Sequence, residues 1–509
     1  MDKGRLPARL DGYGLIKPFG GGISDLIKRK AGFSLPSGDG RPGTKLLPTL
    51  RAAIEASGLK DGGVISFHHH LRNGDFVINL VLAEIARMGL RDITVAASSL
   101  FPVHAPLVDY VREGIVTGIR AAYITGPVAE AVSGGLLGRP AIMQTHGGRA
   151  RSIECGELTI DLAFIAAPAA DKCGNLNGVD GRSACGTLGY AMVDAAYARY
   201  VVAITDNLVP YPASPIDISQ ECVDFIVQVD AIGDPKGIVS GTTRATTDPV
   251  GLRIAHAAAQ VIAASGLLVD GFSFQTGAGG ISLAVAAEVR KLMQERHIQG
   301  SFASGGITGY MVDMLEEGLF RGLLDVQCFD LKAVESYRRN PSHQCMSASM
   351  YASPRTRGAV VDQLDVMILG ATEVDLGFNV NVITGSDGVI MGGSGGHADA
   401  AAGAKLALVT SKLNAGGYAK IVDKVTTVTT PGETVDVVVT EEGMAVNPAR
   451  AELRERLQSQ GIRLVPIEQL EEIARNRASL AKEERQDEGR IVAVVEYRDG
   501  SVIDVVRRV

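Results

Sequence analysis

The chain predicts an α/β protein with mostly parallel sheets covered by helices on both faces. Three features lead there. Short, continuously apolar β-type runs alternate with apolar helical runs, the pattern of strands buried on both sides. Glycine is frequent, 61 of 509 residues, which suits many short strand–helix connections and backbone lying close to ligands. Hydrophobic residues make up 46% of the chain, enough for two or three domain cores and too much for disorder.

Taken in order, residues 1–44 are rich in Gly, Pro and Lys and read as an extended arm. A first α/β unit spans 45–235. Its expected elements are a helix over 45–57, a strand over 63–67, a helix over 79–88, and strands over 92–97 and 119–125. A helix over 127–137 follows, with proline in its first turn, and then strands over 141–144, 162–166, 201–205 and 225–229. Turn-rich stretches at 232–237 and 246–251 bracket the boundary.

A second unit spans 236–480. It opens with a helix over 252–264 and a strand over 272–274, and turns through Gly277, Gly279 and Gly280 into a helical pattern on Leu283, Ala287, Arg290 and Lys291. Gly305 and Gly306 close that stretch. Beyond it come helices over 311–317, 399–408, 449–460 and 467–474, with strands over 366–369 and 435–440. A charged linker over 481–487 and a C-terminal β-hairpin complete residues 481–509. In the hairpin, two β-rich runs flank Asp499-Gly500, the pair that a type I′ turn requires. Its apolar face must pack on the body of the chain or on a partner. The two units share a rhythm without a clear residue-level repeat.

Charge and cysteine usage remove several function classes. A net charge of −7, with no basic run interleaved with aromatics, gives no footprint for nucleic acid. No stretch has the apolar length of a signal peptide or a membrane span. The six cysteines are scattered, with no CxxC pair, as expected of reduced thiols in a cytoplasmic protein.

Four stretches carry candidate chemistry. Gly277, Gly279 and Gly280, between a strand and a helix N-terminus, present backbone N–H groups to an anion or oxyanion, although tight packing alone also calls for glycine there. His68 and His70 leave the end of the 63–67 strand on one side, which suits either metal ligands or, with His69, Arg72 and Asn73, an anion site. Gly147 to Arg151 places two guanidiniums near a ligand, an interface or solvent, and the loop 171–180 either rims a site or satisfies its own turn. Gly393, Gly395, Gly396 and His397 again set glycine-rich backbone at a helix start, where phosphate or carboxylate binds. A nucleotide P-loop is excluded, since no Gly-x4-Gly-Lys-Ser/Thr pattern occurs.

The runs SFHHHLRNGDFVIN (66–79), PAADKCGNLNG (168–178), TEVDLGFNVNV (372–382), GGSGGHADAAAGAK (392–405) and VVVTEEGMAVNP (437–448) together resemble the citrate lyase alpha chain family over almost the whole sequence. FQTGAGGI, GGSGGHADAAAGA and VVVTEEGMA are similar, more distantly, to motifs of the CoA-transferase and acetyl-CoA hydrolase superfamily. That resemblance implies two tandem open α/β domains of the ribose-5-phosphate-isomerase-like type with an acyl site between them. It also implies exchange of acetyl for citrate on a carrier-protein thioester.

Covalent members of the superfamily carry a nucleophilic glutamate about two dozen residues after the glycine loop. Here the corresponding run, 301–309, holds no carboxylate, so the expectation is direct transfer through a mixed anhydride. The resemblance assigns Gly279, Gly280, Gly305 and Gly306 to oxyanion and thioester contacts, with Gly277 beside them. His69, His70, Arg72 and Asn73 fall to citrate, and Gly393, Gly395, Gly396 and His397 to the pantetheine or phosphate end. It implies no resident cofactor and no metal. The phosphopantetheine-type group belongs to the acyl carrier protein, and the expected partners are citrate, acetyl-CoA or acetyl-carrier protein, and the beta and gamma subunits. Two other readings stay open: a metal-dependent hydrolase on His68 and His70, and a non-catalytic assembly subunit that docks through the hairpin.

Overall fold

Two large sheets organise the chain in a computed structural model that describes residues 6–19, 45–239, 245–277, 279–481 and 489–509. In the first domain the strands are Val64–Phe67, Ile93–Ala97, Val116–Ala121, Ala141–Met143, Leu162–Ala167, Tyr200–Thr205 and Phe225–Gln228. In the second they are Ser273–Thr276, Gly300–Ile307, Phe320–Cys328, His343–Cys345, Val366–Gly370, Leu406–Thr410 and Val437–Val439. Numbered along each domain, both sets lie side by side in the order 4-3-2-1-5-6-7, all parallel. The shared rhythm of the two units is therefore a shared topology. In each sheet the chain order reverses between strands 1 and 5.

A residue-level repeat, missed in the sequence, accompanies that topology. Asp171-x3-Asn175-x-Asn177 and Asp375-x3-Asn379-x-Asn381 follow the fifth strand of each domain. Asp171 Oδ1 accepts from the N–H groups of Cys173, Gly174 and Asn175, and Asp375 Oδ1 from those of Gly377 and Asn379. Asn177 and Asn381 then cap the next turn in the same way. Short polar side chains that bond the backbone two to four residues on are the standard way to fix such a loop. Of the two readings of loop 171–180, the structure supports the self-satisfied turn.

Several expected elements differ in extent. Residues 45–57 are not one helix: Leu46–Leu47 is an edge strand, and the helix is Leu50–Ser57 with Thr49 as its N-cap. Pro48 explains the break, because it disfavours helical backbone at Leu47. The expected helix over 399–408 is His397–Gly403 followed by the strand Leu406–Thr410. Gly403 closes against the Val361 carbonyl, where a Cβ would lie 2.4 Å away. The strand expected over 119–125 is Val116–Ala121.

The C-terminal hairpin, Ile491–Glu496 and Val502–Arg507, extends the first sheet by pairing Ala493–Val495 in parallel with Ala141–Met143. Its apolar face thus packs on the chain's own body. Its turn is not type I′, since only Gly500 has positive φ (84°) and Gly500 N–H bonds the Tyr497 carbonyl at 2.9 Å. That is a type I turn closed by a glycine bulge. Of the expected arm, residues 6–19 run onto this hairpin, with Phe19 edge-on to Tyr497 at 4.5 Å. The remainder of the arm, and all of the charged linker except Ala481, lie outside the described residues.

Candidate active site

In open α/β sheets, ligands gather at the carboxyl ends of the strands, where the chain order reverses. Here that point is the gap between Val64–Phe67 and Leu162–Ala167 in the first domain. In the second it lies between Ser273–Thr276 and Val366–Gly370. The run His68–His70 leaves the first point, and Gly277 leaves the second.

All three histidines are buried. His68 Nε2 lies 3.0 Å from Asp194, and Arg149 grips the same carboxylate with two bonds of 2.7 Å. Burial opposes ionisation of Asp194, but Arg149 and His68 outweigh it and hold its carboxyl below the usual range. His69 is fixed from both domains: its Nδ1 is 2.6 Å from Ser98 Oγ, and its carbonyl accepts from Gln327 Nε2 at 2.7 Å. Its ring packs on Tyr190 and His146, with centres 4.6 and 5.6 Å apart.

Several buried nitrogens in this cluster have no hydrogen-bond partner, among them His70 Nε2, His146 Nδ1 and Arg72 Nη1. A buried polar atom left unpaired costs about 1–3 kcal/mol, so these three, grouped beside the strand ends, mark a place for a polar ligand. Burial pushes His69 well below its ordinary value, and holds His70 and His146 at about 3. Neighbouring positive groups add to the effect. At neutral pH the rings are uncharged, and the Arg72 guanidinium supplies the positive charge. That guanidinium sits 4.9 Å from the Phe329 ring centre and 5.6 Å from that of Phe101. Its backbone is left-handed (φ 51°), a strained state for a long side chain that is typical of functional positions.

The second domain faces this cluster with glycine. Gly305 (φ 100°) lies at a bulge in its strand, and a Cβ there would come within 2.9 Å of the Gln275 amide. At Gly306 a Cβ would enter the Phe329 ring, which itself carries Arg72. Gln275 accepts from Ser304 Oγ (3.0 Å) and donates to the Tyr351 hydroxyl (2.7 Å). A Cβ on Gly396 would lie 2.3 Å from that same hydroxyl. The loop is pinned to the first domain: Gly395 accepts from His146 N–H (2.8 Å) and donates to Ala122 (3.1 Å). A Cβ on Gly393 would lie 2.1 Å from the Ala122 carbonyl.

Thus His69, His70, Arg72, Gly305, Gly306, Gly395 and Gly396 are brought together where the domains meet. Other expectations need correction. The Gly277 N–H donates to the Ile368 carbonyl at 2.9 Å, so it is not a free oxyanion donor. His397 uses both ring nitrogens inside the fold, on Thr430 Oγ1 (2.7 Å) and the Gly370 carbonyl (2.8 Å), and burial lowers it to about 4. It anchors the loop instead of presenting a ligand. Gly279 and Gly280 are not corrected in this way: Gly279 is exposed at the start of the helix Gly280–Arg296, and the two carbonyls accept from Leu283 and Thr246 N–H, bonds that do not use the N–H groups expected to act as donors. Asn73 is exposed, and its Oδ1 accepts from Val103 N–H. The Gly147–Arg151 run is a fully buried helical segment, not a basic turn, with Arg149 on Asp194 and Arg151 on Glu157.

His146, Tyr190, Gln275, Gln327 and Tyr351 were not singled out by sequence reasoning. One signal was available for their neighbourhood: Asp194 is a lone carboxylate in an otherwise apolar helix, which demands a buried partner. Among the described residues, the group whose side chains lie close enough to share a metal is Asp325, Cys328 and His343, not the histidine run. There Asp325 Oδ2 is 3.0 Å from both His343 Nε2 and Cys328 Sγ, a buried hydrogen-bonded set. No helix among the described residues is long and apolar enough to cross a membrane.

Comparison with known proteins agrees with this layout. The family model described as citrate lyase, alpha subunit (CitF) matches residues 43–509. The citrate lyase alpha chain of Escherichia coli (strain K12) is 51% identical over 468 residues, covering 91% of each chain. The citrate lyase alpha subunit of Streptococcus mutans, solved in complex with citrate, superposes with a TM-score of 0.91 at 50% identity, covering 95% of this chain and 96% of that one. A 4-hydroxybutyrate CoA-transferase from Porphyromonas gingivalis shares the fold, with a TM-score of 0.54 at 20% identity over 85% of this chain and 97% of that one.

Proposed function

The chain belongs to the citrate lyase alpha-subunit family, and on that premise we propose that it exchanges the acetyl group of an acyl-carrier-protein thioester for citrate. The products are citryl-carrier protein and acetate. The observation that carries the substrate assignment is the set of unpartnered buried atoms on Arg72, His70 and His146. One guanidinium flanked by neutral imidazoles suits a polycarboxylate, with Arg72 pairing one carboxylate and the rings bonding the hydroxyl and the other carboxylates. The Streptococcus mutans relative was solved with citrate, which supports the same choice.

The chemistry needs no enzymic nucleophile. A citrate carboxylate is already ionised at neutral pH and attacks the acetyl thioester carbonyl. The C–S bond breaks, the carrier thiolate leaves, and an acetyl–citryl anhydride forms. The thiolate then attacks the citryl carbonyl, the C–O bond breaks, and acetate departs. Positive φ at Gly305 and the Gln275 amide beside it leave no room for a side chain where a nucleophile would stand. Alignment of two acyl groups is worth about 7–11 kcal/mol, and each oxyanion donor about 3 kcal/mol. Gly305, Gly306 and Gly396 are the backbone assigned to those oxyanions, since the Gly395 N–H is taken by the Ala122 carbonyl. The reacting phosphopantetheine-type group is carried by the acyl carrier protein and not by this chain.

The complex with a citryl-lyase beta subunit and the carrier gamma subunit is part of the same proposal, as is the cytoplasm as its compartment. Free thiols at all six cysteines fit that compartment. The alternatives lose support. His68 is committed to Asp194, and the hairpin is used inside the first sheet. The test is transfer by the purified chain from acetyl-CoA to citrate, with citryl-CoA read by mass spectrometry. An acyl group trapped on a side chain during turnover would sink direct transfer. Absence of citryl-CoA with both acetyl-CoA and acetyl-carrier protein as donors would sink the transferase assignment.

A further inference from the structure

We propose that Arg498, at the tip of the C-terminal hairpin, is a positioning residue for acyl transfer: with Asp399 it locks the Gly395–Gly396 loop of the second domain onto His146 of the first. Hairpin tips normally face solvent, yet this one is buried, with Tyr497, Arg498, Asp499 and Ser501 all at 5% exposure or less. The tip enters the junction between the domains. Arg498 Nη2 donates to the Ala352 carbonyl at 3.2 Å and lies 3.6 Å from Asp362. Its Nε is 3.8 Å from Asp399 Oδ1.

Asp399 is the other half of the device. It lies three residues after Gly396, yet its two oxygens accept from Thr145 Oγ1 (2.8 Å) and Gly147 N–H (2.9 Å) of the first domain. Those groups begin the helix His146–Glu154, where a carboxylate is favoured by the unpaired N–H groups and the helix dipole. His146 is the first residue of that helix, and its own N–H holds the Gly395 carbonyl. One buried carboxylate therefore fixes the imidazole and the glycine loop in register. A buried carboxylate without a counter-charge is costly, and Arg498 is the cation that stands against it. Glycine at three positions lets the pieces meet. A Cβ on Gly147 would lie 2.1 Å from the Ala352 carbonyl, one on Gly148 would lie 3.3 Å from Arg498 Cα, and one on Gly500 would lie 2.2 Å from the Arg151 guanidinium.

The inference rests on the transferase reading only for what the latch serves, so its test has an arm that does not need activity. In Arg498→Ala, kcat for acetyl-CoA-to-citrate transfer is expected to fall on the order of 100-fold, the typical result of about 1 Å of misplacement. Citrate affinity by calorimetry should fall far less, by no more than about 10-fold, because Arg72 and His70 are untouched and only the His146 contact is loosened. Backbone amide exchange over 392–397 should quicken in the variant with or without substrate. Asp399→Asn should lower kcat similarly, and the double variant should be no worse than either single one, as coupled partners require. If Arg498→Ala does not fold, Asp399→Asn carries the same two readouts. A variant with unchanged kcat and unchanged exchange overturns the latch, as does loss of citrate affinity in step with kcat. A wild-type chain without transferase activity overturns the function, while the exchange arm still tests the latch.

Discussion

Replacement of Arg72 separates strain from function in one residue. Arg72 holds a left-handed backbone at φ 51°, which costs a non-glycine residue roughly 1–2 kcal/mol. Arg72→Gly removes that strain. It also removes the stacking of the guanidinium on Phe329 and Phe101, at 4.9 and 5.6 Å, worth about 0.5–1 kcal/mol for each ring. The two effects nearly cancel, so the thermal midpoint should move by only a few degrees in either direction. Binding should not be spared. The unpartnered Nη1 is assigned to a citrate carboxylate, and a charge-assisted hydrogen bond contributes about 1.5–3 kcal/mol. Citrate Kd should therefore rise about 10- to 150-fold. Arg72→Lys keeps the charge and the strain but loses the planar fork, and should fall between. Calorimetric titration with citrate at neutral pH and low salt, beside scanning calorimetry of each variant, reads both quantities. Citrate binding within twofold of wild type in Arg72→Gly would refute the assignment. So would a loss of binding that merely tracks the unfolded fraction.

Gly306→Ala drives a methyl into the Phe329 ring, 2.2 Å away, and overpacking of this kind costs about 1–3 kcal/mol; urea melts should show that loss, and citrate affinity should drop as the ring pushes Arg72. His397→Ala should lower stability by about 1–3 kcal/mol, since it orphans the buried Thr430 hydroxyl, and a folded variant with a wild-type thermal midpoint would contradict the anchoring role. The Asp399 carboxyl is held at about 6, raised from 3.8 by burial against the opposing pull of Arg498, Gly147 and Thr145. A raised folded-state value means that protonation favours folding: this stabilisation is complete below about pH 4 and is lost as pH rises through 6. Two units correspond to about 3 kcal/mol, so the stability of wild type minus that of Asp399→Asn should fall by about that much between pH 4 and 7. A difference independent of pH would show that Asp399 is not buried as described.

Much of the site was legible because its signals are contiguous. The His68–Arg72 run, the Gly305-Gly306 pair and the Gly393–Gly396 loop each sit at a strand end or a helix start. Local chemistry there needs glycine or a polar side chain whatever the rest of the chain does. What failed was the use of each group. Gly277 and His397 carry the right chemistry in the right kind of turn, but a hydrogen-bonding group engaged by the fold is not available to a ligand. Its partner, Ile368 for the first and Gly370 with Thr430 for the second, lies tens of residues away. The 45–57 segment failed differently. Its apolar period was real, and Pro48 with the Thr49 cap overrode it.

The sequence by itself determined the α/β class, the family motifs, the glycine-rich turns and the absence of a carboxylate over 301–309, because each is a property of neighbouring residues. The tertiary structure alone decided which donors remain free, that His146 and Tyr190 join the histidine run, and that Arg149 is taken up by Asp194. It also decided that a hairpin at the far end of the chain completes the first sheet and reaches the domain junction through Arg498. The physical reason is that a backbone turn is satisfied within a few residues, whereas a buried charge or hydrogen bond is satisfied only by whatever the whole fold brings against it.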